Sequence, residues 1–218
     1  MNINIKCKAI DCFRYIKNVF PNSYLAEDNQ QIIIGINAVY LDSEKYSYED
    51  IRKFIKTHKG IADCAGLFGV FSYEIIHYFE KIPQKENSEY FYPEFVFADA
   101  GAYLRFDKKN SVYDFFGDSR KYSDLLHYLQ GHSHTAKSGY NTDFRILGNE
   151  KEKKRIFLEN TAKAKEYIKN GDIFQVVLSS QIILESNLDP YDFYTELAEK
   201  NPSPYMFFFP YTSGTYIG

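Results

Sequence analysis

IKNGDIFQVVLSSQ at residues 168–181 and NPSPYMFFF at residues 201–209 decide how this chain is read. In the first string, Asn170-Gly171 suits a left-handed helix stop. Phe174, Val176 and Leu178 then alternate with Gln175, Val177 and Ser179, which predicts a strand over 172–180 with one face mixing polar and apolar groups, as a cleft wall would. Upstream, Phe157, Thr161, Ala164 and Ile168 recur on one side and Glu150 and Glu152 occupy the first turn, predicting a helix over 150–170. Downstream, Asp189 caps a helix that begins at Pro190 and turns Phe193 and Leu197 inward, and Asn201-Pro202 ends it. Residues 205–209 return as a strand, and Thr212-Ser213-Gly214 turns the chain into a partner strand over 215–218.

The earlier residues alternate between the two periods. QIIIGINAVYL at 31–41 is β-branched and reads as a strand with Gly35 as a bulge or point of close approach. Ser47 is an N-cap with Asp50 three residues on, and Ile51, Phe54, Ile55 and His58 follow on one helix face. AGLFGVFS at 65–72 and residues 94–106 read as further strands. Residues 131–150, GHSHTAKSGYNTDFRILGNE, are poor in apolar side chains and read as a linker or mobile loop. His132 and His134 within it have no carboxylate or cysteine near in sequence, so no metal is assigned to them. The chain therefore divides at 1–140 and 150–218, with an α+β first block.

Composition narrows the function classes. At 44% apolar and 25% charged, the 218 residues suit a globular protein, and 20 Tyr with 19 Phe suggest thick layers between sheets and helices. A formal net charge of −3 gives no footprint for nucleic acid. Cys7, Cys12 and Cys64 are odd in number and lack Cys-x-x-Cys spacing, so reduced thiols are expected. Lys6 and Lys8 interrupt the first apolar residues and no apolar run could span a bilayer, so a protein without membrane segments, located in the cytoplasm, is expected.

GDIFQVVLSS at 171–180 with Asn201-Pro202-Ser203-Pro204-Tyr205-Met206 resembles the chorismate-using enzymes, in particular component I of anthranilate synthase. GLFGVFSYEIIHYFEKIP at 66–83 is similar to the Gly-rich, Tyr-acidic segment of the same family. There Gly66 and Gly69 also have structural work as close-approach points, with Phe71 and Tyr73 packing, and His77 carries no assigned role. The resemblance implies an α+β fold of four layers, helix, sheet, sheet, helix, with the sheets orthogonally packed and incomplete in this chain. It also implies formation of anthranilate and pyruvate from chorismate and ammonia, on the route to tryptophan. Ammonia would come from a glutamine amidotransferase subunit, component II. Magnesium would be held by glutamates that, with the other catalytic groups, are expected beyond Gly218. On this reading the chain is an amino-terminal fragment, inactive alone. A non-catalytic tryptophan-binding module and a para-aminobenzoate or salicylate synthase component I are the other readings.

The family's tryptophan-feedback pocket maps onto Glu27, Asp28, Pro204, Tyr205 and Met206. Tyr205 and Met206 would wall the slot for the indole, and backbone groups near Pro204 and Tyr205 would hold its polar end. Leu25-Ala26-Glu27-Asp28 stands where the family has Leu-Leu-Glu-Ser. Ala26 removes bulk, and Asp28 replaces a hydroxyl with an acceptor-only carboxylate, which either pairs with a ligand ammonium or repels its carboxylate.

Overall fold

The computed structural model describes residues 1–57, 60, 62–83, 92–132 and 143–218; His58 and His134 lie outside them. In chain order the elements are β1 (Asn2–Ile3), α1 (Ala9–Val19), β2 (Tyr24–Glu27), β3 (Gln31–Asp42), α2 (Tyr48–Thr57), β4 (Leu67–Phe71), a 3₁₀ turn (Tyr73–Tyr78), β5 (Phe95–Asp107), β6 (Val112–Phe116), α3 (Ser123–Gly131), β7 (Phe144–Leu147), α4 (Glu150–Asn170), β8 (Ile183–Ser186), α5 (Pro190–Lys200), β9 (Met206–Tyr211) and β10 (Gly214–Ile217). They form two compact units, Met1–Ser138 with Pro190–Gly218, and Gly139–Asp189. The class is α+β, and the strand pairs are antiparallel. Among the described residues no helix is long and apolar enough to cross a membrane.

The first unit is built on an eight-stranded sheet ordered β1-β6-β5-β3-β2-β9-β10, with β4 paired to the first part of β5. Residues 190–218, grouped by the motifs with the helix at 150–170, add β9 and β10 to this sheet through β2. Leu25 lies opposite Phe208, Ala26 opposite Phe207 and Glu27 opposite Met206. One sheet face is covered by helices. Cys12, Phe13 and Ile16 of α1, Leu125 and Leu129 of α3, and Tyr191 and Tyr194 of α5 bury against Leu25, Ile34, Leu104, Phe115 and Phe208. Each large apolar side chain so buried contributes about 1.5–3 kcal/mol. That term holds α1 in place, since its N-cap residue Lys8 makes no side-chain cap bond. The other face is aromatic: Tyr24, Phe68, Phe207 and Phe209 cluster there, with Tyr24 and Phe68 stacked at 4.8 Å.

Several local signals act as expected. A Cβ on Gly35 would stand 2.3 Å from the Tyr24 ring, so the glycine is the close-approach point of β3. Ser47 Oγ accepts from Asp50 N at 3.2 Å and Asp50 Oδ2 accepts from Ser47 N at 3.0 Å, a reciprocal cap on α2. Asn149 Oδ1 accepts from Lys151 N and Glu152 N at the start of α4. Gly171 ends that helix at φ 82°, in the left-handed region.

Other expectations are corrected. Residues 172–180 are not a strand. Phe174 is 94% exposed and Val177 is 82% exposed, and the nearest strand, β8, begins at Ile183. A strand exists only where a neighbour completes its ladder, and no strand among the described residues pairs with this segment. For the same reason the apolar side of α4 is unburied among the described residues. The 131–150 linker contains β7, which pairs with β8 from Phe144↔Ser186 to Leu147↔Ile183. On α5 the inward residues are Tyr191 and Tyr194, with Leu197 partly buried beside them, while Phe193 is 45% exposed. Tyr191 donates to Ile10 O and Tyr194 to Glu27, so each phenol satisfies its polar end inside the core, which selects this face. Ile55 of α2 is exposed while Ile51 is buried and Phe54 packs beside it. A Cβ on Gly69 would meet Val96 O at 2.0 Å, but Gly66 has open space around it; its N–H and C=O engage the Tyr103 hydroxyl instead. Tyr73 is exposed and does not pack.

Candidate functional site

The β2–β9 ladder places Glu27 and Asp28 beside Tyr205 and Met206, residues far apart in the chain. Around this junction lies an open cleft of about 180 Å³ lined by Ala26, Glu27, Asp28, Gln31, Ile33, Phe68, Tyr205, Met206 and Phe207. Pro204 does not line it. The pleat then separates the five residues picked from the sequence. Successive strand residues point to opposite faces, so Ala26 and Phe207 face the aromatic side, whereas Glu27 and Met206 face the helices. Met206 is buried in the helix-side core with Leu25 and Phe208. Its side chain supports the cleft from behind. Tyr205, 77% exposed, stands at the rim.

Glu27 is held from the helix side. Tyr194 OH donates to Oε1 at 2.5 Å and Lys108 Nζ donates to Oε2 at 2.9 Å. Burial first, and the Glu27 carboxylate second, push the Tyr194 phenol well above its ordinary range. Lys108 also donates to Asp28 O at 2.6 Å, so one ammonium ties β5 to the end of β2. The Asp28 carboxylate is engaged in the turn between β2 and β3: Oδ1 accepts from Gln30 N at 2.7 Å and from Gln31 N at 2.8 Å. Such an Asx turn is what this residue type does locally, and a serine hydroxyl can do the same more weakly.

The floor of the cleft was missed by motif reading. Phe68 arrives from β4, which Gly69 allows to lie close on β5, and its ring meets Phe207 edge-on at 6.2 Å. Alternation within LFGVF and within YMFFF was the signal available for both residues. His77 pairs with Glu74 at 2.8 Å in the 3₁₀ turn and approaches none of these groups. Among the described residues no three His, Cys, Asp or Glu side chains gather in a way that could hold a metal ion.

An antiparallel sheet with helices on one face, an aromatic opposite face and an open cleft where β2 meets β9 defines an α+β protein. The chain belongs to the chorismate binding enzyme family, whose profile matches residues 16–218. It is 28% identical over 172 residues to anthranilate synthase component 1 of Acetivibrio thermocellus, covering 70% of this chain and 35% of the relative. With the same component from Buchnera aphidicola subsp. Baizongia pistaciae it shares 30% identity over 224 residues, covering 92% and 42%. The crystal structure of anthranilate synthase component I from Streptococcus pneumoniae TIGR4 aligns with a TM-score of 0.66 at 23% identity, over 90% of this chain and 49% of that one. That likeness establishes the fold. The chain spans about a third to two fifths of the length of these curated relatives.

Proposed function

We propose that this chain is the amino-terminal part of an anthranilate synthase component I, and that the cleft between β2 and β9 is its tryptophan feedback site. The observation that carries the second statement is the ladder pairing Glu27 with Met206, which brings two distant motifs to one groove. The family and the relatives support the first. In the intact enzyme chorismate and ammonia give anthranilate and pyruvate in the cytoplasm, with ammonia supplied by a glutamine amidotransferase subunit. On the family's pattern the magnesium ligands are other residues of the intact enzyme, so the isolated chain is expected to make no anthranilate. Anthranilate fluorescence produced by the chain from chorismate, magnesium and ammonia, and abolished by chelator, would overturn that last statement.

In the cleft, an indole lies against Ala26, Ile33, Phe68 and Phe207, with Tyr205 as its lid-side neighbour and the amino-acid end toward Asp28. The apolar floor takes the ring and the polar rim fixes its orientation. Because the protein contains no Trp, excitation at the red edge of indole absorption reports the ligand alone. A saturable rise in tryptophan anisotropy is expected, weakened severalfold by Tyr205→Ala, whose exposed side chain leaves the core untouched. Absence of saturation at millimolar ligand, or indifference to Tyr205→Ala, would refute the assignment. Asp28→Ser should strengthen binding by removing a negative charge near the ligand carboxylate; weaker binding would mean that Asp28 pairs with the ammonium.

A further inference from the structure

Cys7 and Cys12 meet at the entry to α1. Cys7 ends the loop after β1, and Cys12 sits in the first turn of the helix, its N–H donating to Lys8 O at 3.0 Å. Both residues are buried, and their Sγ atoms are 2.7 Å apart. A bonded pair stands at about 2.05 Å, so an approach of roughly 0.7 Å would join them. Two different elements hold the pair together. Tyr113 of β6 donates its hydroxyl to Cys7 O at 2.7 Å, and α1 anchors Cys12 in the helix-side core beside Phe13 and Ile16.

We propose that Cys7 and Cys12 are an oxidation site, converted by thiol–disulfide exchange with a small-molecule disulfide into an intrachain bridge that ties the β1–α1 loop to the helix. The Cys7 thiolate attacks one sulfur of the small disulfide and expels the first small thiolate. The Cys12 thiolate then attacks Cys7 Sγ of the mixed disulfide and expels the second. The two cysteine protons end on the two departing thiols, and two electrons pass from the protein to the small disulfide. Reagent reaches Cys7 from a cavity of about 700 Å³ that Cys7 lines together with Lys6, Lys8, Tyr113 and Glu199. Entry is helped by the short β1, which pairs with β6 only at Asn2↔Asp114 and Ile3↔Tyr113, so this edge opens locally more readily than the sheet unfolds. Burial raises the Cys12 thiol and keeps it protonated until such an opening.

The test is redox titration of the full chain with reduced and oxidised glutathione, folded and in urea, followed by acid quench, alkylation and peptide mapping. In the folded chain the peptide holding Cys7 and Cys12 should lose two hydrogens, take no alkyl group and recover with dithiothreitol, while Cys64 stays open to alkylation or glutathionylation. Half-conversion should need at least ~10-fold less oxidised glutathione than in urea, because a pre-placed pair has the higher effective concentration. Cys12→Ser should abolish the mass loss and leave Cys7 as a mixed disulfide. The proposal is overturned if folding gives no advantage over urea, if both thiols stay alkylatable in the folded chain, or if either pairs with Cys64.

Discussion

Replacing Tyr194 by Phe removes one oxygen from the helix-covered core and leaves the ring in place. Tyr194 is fully buried, and its hydroxyl meets Glu27 Oε1 at 2.5 Å. The Glu27 side chain is 17% exposed and that of Lys108 33%, so the remaining ion pair is partly screened and cannot make good the lost donor. A hydrogen bond to a charged group contributes about 1.5–3 kcal/mol. A loss near 2 kcal/mol lowers the midpoint of a unit this size by about 4–8 °C. Thermal and urea unfolding followed by far-ultraviolet dichroism should register both numbers. The double-mutant cycle with Glu27→Gln then assigns the cost: with the carboxylate gone, Tyr194→Phe should cost less by about 1 kcal/mol or more. If Tyr194→Phe lies within about 0.5 kcal/mol of the parent, or costs the same with and without the Glu27 carboxylate, the network does not anchor β2 and the reasoning fails.

Burial holds the phenols of Tyr24, Tyr40, Tyr113, Tyr191 and Tyr194 above their ordinary range. The folded chain therefore keeps protons that the unfolded chain begins to lose near pH ~10, so this stability is intact below about pH 10 and falls as pH rises further. Phenolate absorbance should show a delayed, cooperative step coincident with unfolding; smooth titration near pH ~10 by a chain that stays folded would contradict this. Gly69→Ala would set a Cβ 2.0 Å from Val96 O, forcing β4 off β5, with a loss of about 1–3 kcal/mol and faster amide exchange over 67–71; unchanged exchange there would count against it. At Gly171 no atom crowds a Cβ, so Gly171→Ala should cost only the left-handed backbone, about 1 kcal/mol read as reduced thermal stability of α4, and Gly171→Asn should cost less; equal losses would show that φ is not the cause.

What was legible in the sequence is what local chemistry decides. The Asn170-Gly171 stop, the Ser47/Asp50 cap and the turn before β10 depend on groups within a few residues, and each stands where the pattern put it. Residues 172–180 carry an equally clear strand pattern, yet without a ladder partner among the described residues they remain irregular. Periodicity records which side chains could be buried, and the neighbour decides whether they are. The α5 helix makes the same point by polarity: Phe193 is the more apolar choice for the inside, but Tyr191 and Tyr194 are the ones whose hydroxyls find Ile10 O and Glu27.

The cleft combines both kinds of information. That 25–28 and 204–207 belong together was legible only as a family resemblance, because no local rule pairs strands so distant in the chain. Which of their side chains face the groove follows from the pleat once Glu27 is known to oppose Met206. A motif read as a block merges the two faces; the sheet places Ala26 and Phe207 on the groove side, and turns Glu27 and Met206 to the helix side behind it. Substitutions on the two faces should therefore separate. Changes at Ala26 or Tyr205 act on tryptophan affinity at nearly constant stability, whereas changes at Glu27 or Met206 act on stability first and on affinity only through the position of β2 against β9.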